Sequence, residues 1–280
     1  MILLLAGTAD GREIFSLLKE KGYPVVATVT TAYGAQALAG GRTAGARAPA
    51  GGANGADGAD GAGGAVFSRA LGAAEMAAFI REKKINAVVD ASHPFAVRAS
   101  ANARRACKAA GVPYVRYERP MANLPEDPLI HAVRDFSRAA KKAVSFGEPI
   151  FLTTGSKTLP VFVAEAKRAG KRVVARVLPA PDVLAGCLAL GLQPADLIAL
   201  QGPFSYEFNR ALLREYRAAV LVTKESGPAG GTEEKVKAAL DLGIPVVLIK
   251  RPAARYSRAV SNYAELLEIL ENLPKGERCE

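Results

Sequence analysis

Short runs of apolar residues alternate along the chain with longer stretches in which apolar residues recur every three or four positions. The first run, Met1–Leu5, contains no polar residue, as expected for a strand that is buried on both faces of a parallel sheet. The stretch that follows places Ile14, Leu17 and Leu18 on one side of a helix. The pattern therefore predicts a strand, a tight turn and a helix at the start of the chain.

The same alternation continues along the rest of the chain. Strands are predicted at about 1–5, 24–30, 87–90, 112–117, 149–153, 172–177, 196–200, 218–223 and 244–249. Helices are predicted after the first strand and at about 73–83, 94–110, 134–146, 158–169, 181–190, 204–216, 231–242 and 262–272. Strands that alternate with helices of this length predict parallel sheets covered on both sides. We therefore expect an α/β protein with two doubly wound parallel-sheet (Rossmann-like) domains and a cleft between them.

Two changes in composition divide the chain. The segment Pro120–Pro128 contains three prolines and two adjacent acidic residues. It marks the predicted boundary between an N-terminal domain at 1–119 and a C-terminal α/β domain at 120–280. Residues 39–65 are mostly Ala and Gly, without a large apolar side chain. Such a segment cannot bury enough surface to offset its ordering entropy, so we expect a mobile surface insertion there.

Glycines and a basic residue follow the first predicted strand. Gly7 and Gly11 allow the backbone to turn sharply and leave room for a ligand, and Arg12 can hold a phosphate through two hydrogen bonds. The opening amides of the next helix, together with the helix dipole, favour an anion at this position. The dinucleotide fingerprint G-x-G-x-x-G is absent, so an ordinary turn in which Asp10 caps the helix is the alternative.

The other strand ends carry similar chemistry. Small, hydroxylated or basic residues follow nearly every predicted strand, and these residue types bind phosphates and carboxylates. The positions are Thr30-Thr31, Ser92-His93-Pro94, Thr154-Gly155-Ser156-Lys157, Arg176, Gly202-Pro203 and Lys224-Glu225-Ser226. Each one taken alone is more often a helix cap. Because ligands of open α/β sheets gather beyond the carboxyl ends of the strands, together they predict an anion-binding site.

His93 is the histidine that lies at a predicted strand end, and two interpretations are open. It can donate a proton to a substrate or hydrogen-bond a substrate carboxylate. It can equally be satisfied by backbone groups beside Pro94. The sequence shows no nucleophile–base pair, no paired catalytic carboxylates and no metal-ligand cluster. This favours a reaction whose chemistry is carried by a bound cofactor, such as hydride transfer.

The net charge of +10 and the isoelectric point near 9.6 indicate a negatively charged partner. A nucleic acid and a polyanionic small molecule both fit the charge, but dispersed basic residues and few aromatic residues disfavour the nucleic acid.

Cys107, Cys187 and Cys279 have no paired spacing, as expected of reduced thiols in the cytoplasm. We expect no signal peptide and no membrane span, since the apolar runs are too short for either.

The end of the second predicted strand bears on the choice of nicotinamide cofactor. In NAD-binding Rossmann units an acidic residue there accepts the ribose 2′-hydroxyl. Thr30 and Thr31 hold that position here, and no Asp or Glu occurs between Lys21 and Ala56. Because a carboxylate would repel a 2′-phosphate, its absence favours NADPH over NADH. The alternative is that this turn does not meet a ribose.

Four sequence blocks at the predicted strand ends form a recognisable set. They are Gly7-Thr8-Ala9-Asp10-Gly11-Arg12, Asp90-Ala91-Ser92-His93-Pro94-Phe95-Ala96, Thr153-Thr154-Gly155-Ser156-Lys157 and Thr223-Lys224-Glu225-Ser226-Gly227. These blocks resemble those of the precorrin-6A reductase family. Two more blocks also fit, Arg176-Val177-Leu178-Pro179 and Gly202-Pro203-Phe204-Ser205. The resemblance runs from Met1 to about Pro252, with the blocks in the family's order. The Ala/Gly segment departs from the family pattern, as does Glu225, where a neutral residue is expected.

The resemblance implies a two-domain α/β enzyme of cobalamin biosynthesis. Such an enzyme uses NADPH to reduce one double bond of the precorrin-6A macrocycle, or of its cobalt form, to precorrin-6B or cobalt-precorrin-6B. The acetate and propionate side chains of the ring give the positive charge of the chain a partner. The implied partners are this anionic tetrapyrrole and neighbouring enzymes of the corrin pathway, with no nucleic acid and no membrane.

The resemblance also implies roles for the residues at the strand ends. The cofactor would be bound by Gly7, Thr8, Asp10, Gly11, Arg12, Thr30, Thr31, Ser92, Gly202 and Pro203. The substrate would be bound by Thr154, Gly155, Ser156, Lys157, Arg176, Lys224 and Ser226. His93 is the candidate proton donor or substrate contact, and no metal site is expected. The alternatives are a nucleotide-dependent transferase that uses the same phosphate-binding turns and, with less support, a basic nucleic-acid-binding module.

Overall fold

A computed structural model describes residues 1–29, 35, 38, 58–59, 65–68 and 70–273 of the chain. The chain forms two compact units. Unit 1 contains Met1–Arg119 together with the C-terminal segment that begins at Ala254, and unit 2 contains Pro120–Ala253. The chain therefore leaves unit 1 once, builds unit 2 and then returns to unit 1.

The described residues of unit 1 form a sheet of seven strands, which are numbered along the whole chain. They are β1 (Ile2–Leu5), β2 (Val25–Val29), β3 (Gly58–Ala59), β4 (Ala65–Ser68), β5 (Ala87–Asp90), β6 (Tyr114–Tyr117) and β13 (Ala259–Val260). Their order is β13-β6-β5-β1-β2-β4-β3, with β3 antiparallel to β4 and the other pairs parallel. If the six parallel strands are renumbered 1 to 6 along the chain, their order across the sheet is 3-2-1-4-5-6. This is the strand order of dinucleotide-binding folds.

Helices cover both faces of this sheet. The described helices of unit 1 are α1 (Ala9–Glu20), α2 (Ala73–Glu82), α3 (Val97–Ala110) and α9 (Tyr263–Glu271). Ile2 and Leu4 of β1 belong to a core shared with α1 and α9, whereas Leu3 and Leu5 belong to a core shared with α2 and α3. Successive side chains of a strand point to opposite faces, so the wholly apolar β1 contributes to both cores.

Unit 2 is built on a sheet of six parallel strands. They are β7 (Ile130–Val133), β8 (Ile150–Leu152), β9 (Val173–Val177), β10 (Leu197–Ala199), β11 (Val220–Lys224) and β12 (Val246–Ile249). Their order is β10-β9-β8-β11-β12-β7. The chain moves outward from β8 to β10 in one direction and from β11 to β12 in the other. The strand order therefore reverses between β8 and β11.

Helices also flank the sheet of unit 2. They are α4 (Phe136–Val144), α5 (Leu159–Arg168), α6 (Pro181–Ala189), α7 (Tyr206–Glu215) and α8 (Thr232–Leu240). On one face, Phe151, Val174 and Leu221 pack with Leu213 of α7 and Val236 of α8. Helices α4 and α5 pack together on the other face. The predicted fold class of two doubly wound α/β sheets is therefore confirmed.

Four of the described strands have no prediction in the sequence analysis, namely β3, β4, β7 and β13. Strand β13 is two residues long, and β7 is an edge strand whose side chains are partly exposed. Strand β4 adjoins the Ala/Gly segment and has four residues. Strand β3 also has only two residues, and none of the four forms the long continuous apolar run by which the other strands are predicted.

The predicted C-terminal domain at 120–280 extends too far along the chain. Strand β13 pairs with β6, and Leu266 and Leu270 of α9 belong to a core of unit 1. Residues from Ala254 onward are therefore part of unit 1, while the division between Arg119 and Pro120 lies where the sequence analysis places it. The predicted insertion at 39–65 lies outside the described residues, except for 58–59 in β3 and 65 in β4.

Gly11 allows α1 to approach β1 closely. A methyl group at this position would lie 2.7 Å from Cα of Ala6 and 2.9 Å from its carbonyl carbon. Because backbone cannot yield as a flexible side chain does, we expect Gly11→Ala to lower the free energy of unfolding by about 1–3 kcal/mol. Urea denaturation followed by circular dichroism measures this change.

Gly186 of α6 provides the matched control, because a methyl group added there has no atom within 4 Å. Gly186→Ala should leave the stability unchanged or raise it by about 1 kcal/mol, since alanine favours helix. A Gly11→Ala variant as stable as the wild type would contradict the close approach of α1 to β1.

Candidate functional site

The ends of β1 and β5 lie side by side in unit 1, where the strand order reverses. Leu5 pairs with Asp90 across these strands. Beyond them, the Thr8 hydroxyl donates to the Ala91 carbonyl (2.8 Å) and accepts from the Gly11 amide (3.1 Å). Thr8 is therefore both the N-cap of α1 and a link between neighbouring strand ends. Open α/β sheets bind ligands in the crevice at such positions.

Gly7 and the N-terminus of α1 form a geometry that suits a phosphate. Gly7 is exposed, and a methyl group added to it would have no atom within 4 Å, so its backbone is open to a ligand. The first amides of a helix lack intrahelical acceptors, and the helix dipole places partial positive charge there. Arg12 is exposed in the first turn of α1 and adds a full positive charge.

Asp10 has a structural task. Its side chain is buried and forms an ion pair with Arg119. Thr8 caps α1, so the interpretation of Asp10 as the helix cap is wrong. The ion pair with Arg119 accounts for the burial of the Asp10 carboxylate, and a contact between Asp10 and the cofactor stays a prediction.

A buried ion pair supports the turn that carries Ser92 and His93. The carboxylate of Asp90 lies 2.9 Å from Nη1 of Arg116, and both side chains are at most 1% exposed. Asp90 also accepts from the Ser92 amide (2.9 Å) and from the Tyr114 hydroxyl (2.6 Å). Burial raises the pKa of Asp90, but the charge of Arg116 and the hydrogen bonds outweigh it, so the pKa lies below its usual value. The turn is therefore anchored to a charged group inside the sheet.

The side chains of Ser92 and His93 are held by different partners. The Ser92 hydroxyl accepts from Nη1 of Arg116 (3.2 Å) and lies 3.4 Å from the Ser100 hydroxyl. Nδ1 of His93 accepts from the Phe95 amide (3.2 Å), as the backbone-satisfied interpretation predicts. Because Nδ1 accepts this bond, the proton of the neutral imidazole is on Nε2. If His93 donates a proton, it therefore donates it from Nε2.

In unit 2, the ends of β8, β9 and β11 form one edge of the sheet. Leu152 of β8 pairs with Val222 on one side and with Ala175 on the other, so the residues that follow these strands are neighbours. The structure brings the predicted substrate-binding residues to this edge. They are Thr154, Gly155, Ser156, Lys157, Arg176, Lys224 and Ser226. The edge includes the position where the strand order of unit 2 reverses.

Two turns with left-handed glycines border this edge. Gly155 follows β8 with a φ of +83°, and Gly227 follows β11 with a φ of +70°. Both values favour glycine over other residues. The Ser226 amide donates to the hydroxyl of Thr232 at the start of α8 (3.1 Å). The Gly227 amide donates to Glu225, so both of these amides are bonded within the chain. The turn after β8 leads directly into a helical segment at Ser156, as anion-binding turns do.

Positive charge is concentrated at the same edge. Burial lowers the pKa of Arg176 to about 10, and burial together with Lys157 lowers the pKa of Lys224 to about 8. At Lys235 of α8, burial, Arg176 and Lys224 lower the pKa to about 7, although Glu234 acts in the opposite direction. An anionic ligand would favour the charged forms. We refer to Lys157, Arg176, Lys224 and Lys235 as the cation cluster.

The sequence analysis does not predict Lys235 as part of the site, and it does not predict which residues pair with Glu225. Lys235 is 7% exposed, and its Nζ donates to the Gly230 carbonyl (3.0 Å). Glu225 is buried, forms an ion pair with Arg251 and accepts from the Gly227 amide (3.0 Å). This pairing accommodates a carboxylate at a position where a neutral residue is expected.

The predicted cofactor-binding residues do not all lie in one unit. The residues from Gly7 to Arg12, and Ser92, are in unit 1, whereas Gly202 and Pro203 follow β10 in unit 2. Thr30 and Thr31 lie outside the described residues. The described candidates therefore form two sets, one at the strand ends of each unit.

Comparison with known proteins identifies the family. The model of the family described as precorrin-6x reductase CbiJ/CobK matches residues 47–271. The chain belongs to this family. It is 40% identical over 273 residues to a cobalt-precorrin-6A reductase of Priestia megaterium, covering 97% of this chain and 98% of that protein. It is 34% identical over 252 residues to a precorrin-6A reductase of Rhodococcus erythropolis, covering 90% of this chain and 89% of that protein.

A solved structure shares the fold of this precorrin-6x reductase family member. The structure of CobK precorrin-6A reductase matches with a TM-score of 0.73 and 23% identity, covering 97% of this chain and 96% of that chain. The chain is an oxidoreductase, and its family indicates a nicotinamide cofactor. The strand order of unit 1 and the open turn at Gly7 fit such a cofactor. Among the described helices, none combines the length and apolar character needed to cross a membrane.

Replacement of Lys235 by methionine tests the cation cluster. Burial and like charges lower the pKa of Lys235 from 10.5 to about 7, so the unfolded chain binds more protons between these values. The charged lysine therefore costs stability, most of all below about pH 7. We expect Lys235→Met to raise the thermal unfolding midpoint at about pH 6, by about 2–4 °C for each kcal/mol recovered, with a gain that shrinks toward about pH 9.

Lys237→Met is the control, because Lys237 is exposed on the same helix. Its effect on the unfolding midpoint should not show this dependence on pH. An equal decrease of the midpoint at all pH values in Lys235→Met would show that the charge of Lys235 does not destabilise the fold.

Proposed function

We propose that this chain catalyses the NADPH-dependent reduction of one double bond of the precorrin-6A macrocycle, or of its cobalt form. The product would be precorrin-6B or cobalt-precorrin-6B. The observation that carries the proposal is the 40% identity, over 97% of the chain, to a protein named cobalt-precorrin-6A reductase. A relative named precorrin-6A reductase also matches, so the proposal covers both metal-free and cobalt-bearing rings. No described feature favours the transferase or nucleic-acid-binding alternatives over this one.

The reaction requires one hydride and one proton. Bound NADPH would supply the hydride, which together with a proton converts a ring double bond to a single bond and leaves NADP⁺. The task of the protein is to orient the reacting groups, to exclude water and to hold the proton donor.

Unit 1 supplies the proposed cofactor site. Gly7, Thr8 and the start of α1 would hold a phosphate group, and Arg12 would pair with it. We assign Ser92 and His93 to the nicotinamide end, since their turn follows β5, the neighbour of β1 where the strand order reverses. His93 is the proposed proton donor, with Nδ1 fixed by the Phe95 amide and the proton on Nε2.

NADPH is the proposed donor rather than NADH. No acidic residue occurs between Lys21 and Ala56, the part of the chain in which Rossmann units place the carboxylate that selects NADH. The positive charge of the chain also suits a cofactor with an additional phosphate.

Unit 2 supplies the proposed substrate site. Acetate and propionate groups of the ring would bind the cation cluster, together with Thr154, Ser156, Ser226 and the Gly155 backbone. Burial and neighbouring cations lower the pKa values of Lys224 and Lys235. The charged forms of these lysines therefore cost free energy in the absence of an anion. Ring carboxylates would offset that cost, so binding and protonation of the lysines would be coupled.

Mixing the full chain with NADPH and either ring tests the proposal directly. We expect loss of NADPH absorbance together with a change in the visible spectrum of the ring, and a slower reaction with NADH. Absence of NADPH oxidation with both the metal-free and the cobalt-bearing ring would overturn the proposal. Turnover of a nucleoside triphosphate or a sugar nucleotide without nicotinamide oxidation would support the transferase instead.

Arg12→Ala tests the phosphate contact in unit 1. Arg12 is exposed, so the fold should be unaffected. Loss of a charge-assisted hydrogen bond of about 1.5–3 kcal/mol should raise the KM for NADPH by roughly tenfold or more, with little change in kcat. Lys108→Ala is the control, since Lys108 is exposed in the last turn of α3, away from the strand ends. An unchanged KM in Arg12→Ala would remove Arg12 from the cofactor site.

A further inference from the structure

Two leucines at the strand ends of unit 2 are unusually exposed. Leu178 follows β9 and is 48% exposed, and Leu200 follows β10 and is 41% exposed. The Leu200 amide donates to the Val177 carbonyl (3.0 Å), which continues the pairing of β9 with β10. Arg176 pairs with Ile198 in that ladder, so two residues further along, Leu178 and Leu200 lie beside each other.

Two phenylalanines lie next to Arg176, which is two residues before Leu178 and therefore on the same face of β9. The guanidinium carbon of Arg176 lies 4.7 Å from the centroid of the Phe204 ring. The Phe204 ring stacks on Phe208, with centroids 4.8 Å apart, and Phe208 is 38% exposed. Arg176 also donates to the Asn209 side chain (2.9 Å), which fixes the guanidinium over the ring. We refer to Leu178, Leu200, Phe204 and Phe208 as the apolar shelf.

The apolar shelf and the cation cluster together indicate which kind of ligand would bind at this edge. Exposed leucine and phenylalanine side chains favour a broad apolar surface, and Arg176, Lys157 and Lys224 favour carboxylates at the border of that surface. A tetrapyrrole has this distribution, because its ring faces are apolar and its acetate and propionate groups project from the periphery. A nucleotide is a poorer match, because its phosphates lie along a chain between smaller rings.

We propose that the apolar shelf binds one face of the tetrapyrrole macrocycle while the cation cluster binds its peripheral carboxylates. This inference rests on the proposed function and adds the side chains that contact the ring face. It also assigns Gly202 and Pro203 to the substrate, because they precede Phe204 and Pro203 borders Gly231 of the turn after β11. A methyl group on Gly231 would lie 3.1 Å from Cβ of Pro203.

The test measures equilibrium binding of uroporphyrin III, a stable tetrapyrrole with carboxylates on its periphery, to the full chain at constant ionic strength. Leu178→Ser and Leu200→Ser should each weaken binding by about fivefold, as expected for loss of a partly buried leucine contact. Affinity for NADP⁺ should not change. In turnover with precorrin-6A, the KM for the ring should rise while the KM for NADPH stays the same.

Leu188→Ser is the matched control. Leu188 has the same exposure as Leu178, 48%, but lies in the last turn of α6. Helices of parallel sheets run back from the strand ends, so this turn lies at the opposite edge, and Leu188→Ser should leave both affinities unchanged. Circular dichroism would verify that each variant is folded.

The possible outcomes separate the two proposals. If Leu178→Ser and Leu200→Ser bind uroporphyrin III as the wild type does, or if the wild type shows no saturable binding, the shelf proposal is overturned. A loss of NADP⁺ affinity instead would assign the shelf to the cofactor and also overturn it. A wild-type chain that binds the porphyrin through the shelf but does not oxidise NADPH with precorrin-6A would contradict the proposed function alone.

Discussion

Parallel pairing of buried strands is the constraint on which both candidate sites depend. When strands run in the same direction, their carboxyl ends emerge at one edge, and residues that are far apart in sequence become neighbours. In unit 1 this places the turn at Gly7 beside the turn at Ser92, and Thr8 joins them with a hydrogen bond to Ala91. In unit 2 it gathers residues from Thr154 to Ser226 around the ends of β8, β9 and β11.

The two edges use charge in different ways. In unit 1 the buried charges are paired, Asp90 with Arg116 and Asp10 with Arg119, and these pairs fix the backbone around the turns. In unit 2 the residues of the cation cluster lie close to one another. Burial and mutual repulsion lower the pKa values of Lys224 and Lys235, so their charged forms cost free energy. This cost supports the proposal that the edge of unit 2 binds a ligand with several negative charges.

The sequence predicts the strand ends well, because apolar runs and the small residues after them are local signals. It does not predict Arg116 as the partner of Asp90, since the pair forms across neighbouring strands β5 and β6. Lys235 is missed because a lysine in a helix usually faces water. Thr232, Val236 and Ala239 are buried on the same helix, and their spacing is the signal that could have revealed it. The return of α9 to unit 1 depends on long-range packing, which composition does not encode.

The central claim is that a nicotinamide hydride passes directly to a tetrapyrrole ring held by this chain. The most direct measurement uses NADPH carrying deuterium at C4 of the nicotinamide, in each of its two stereochemical forms, with mass spectrometry of the reduced ring. The account predicts that one form yields a product one mass unit heavier than the product from unlabelled NADPH. A reduced ring that contains no deuterium from either form would contradict it.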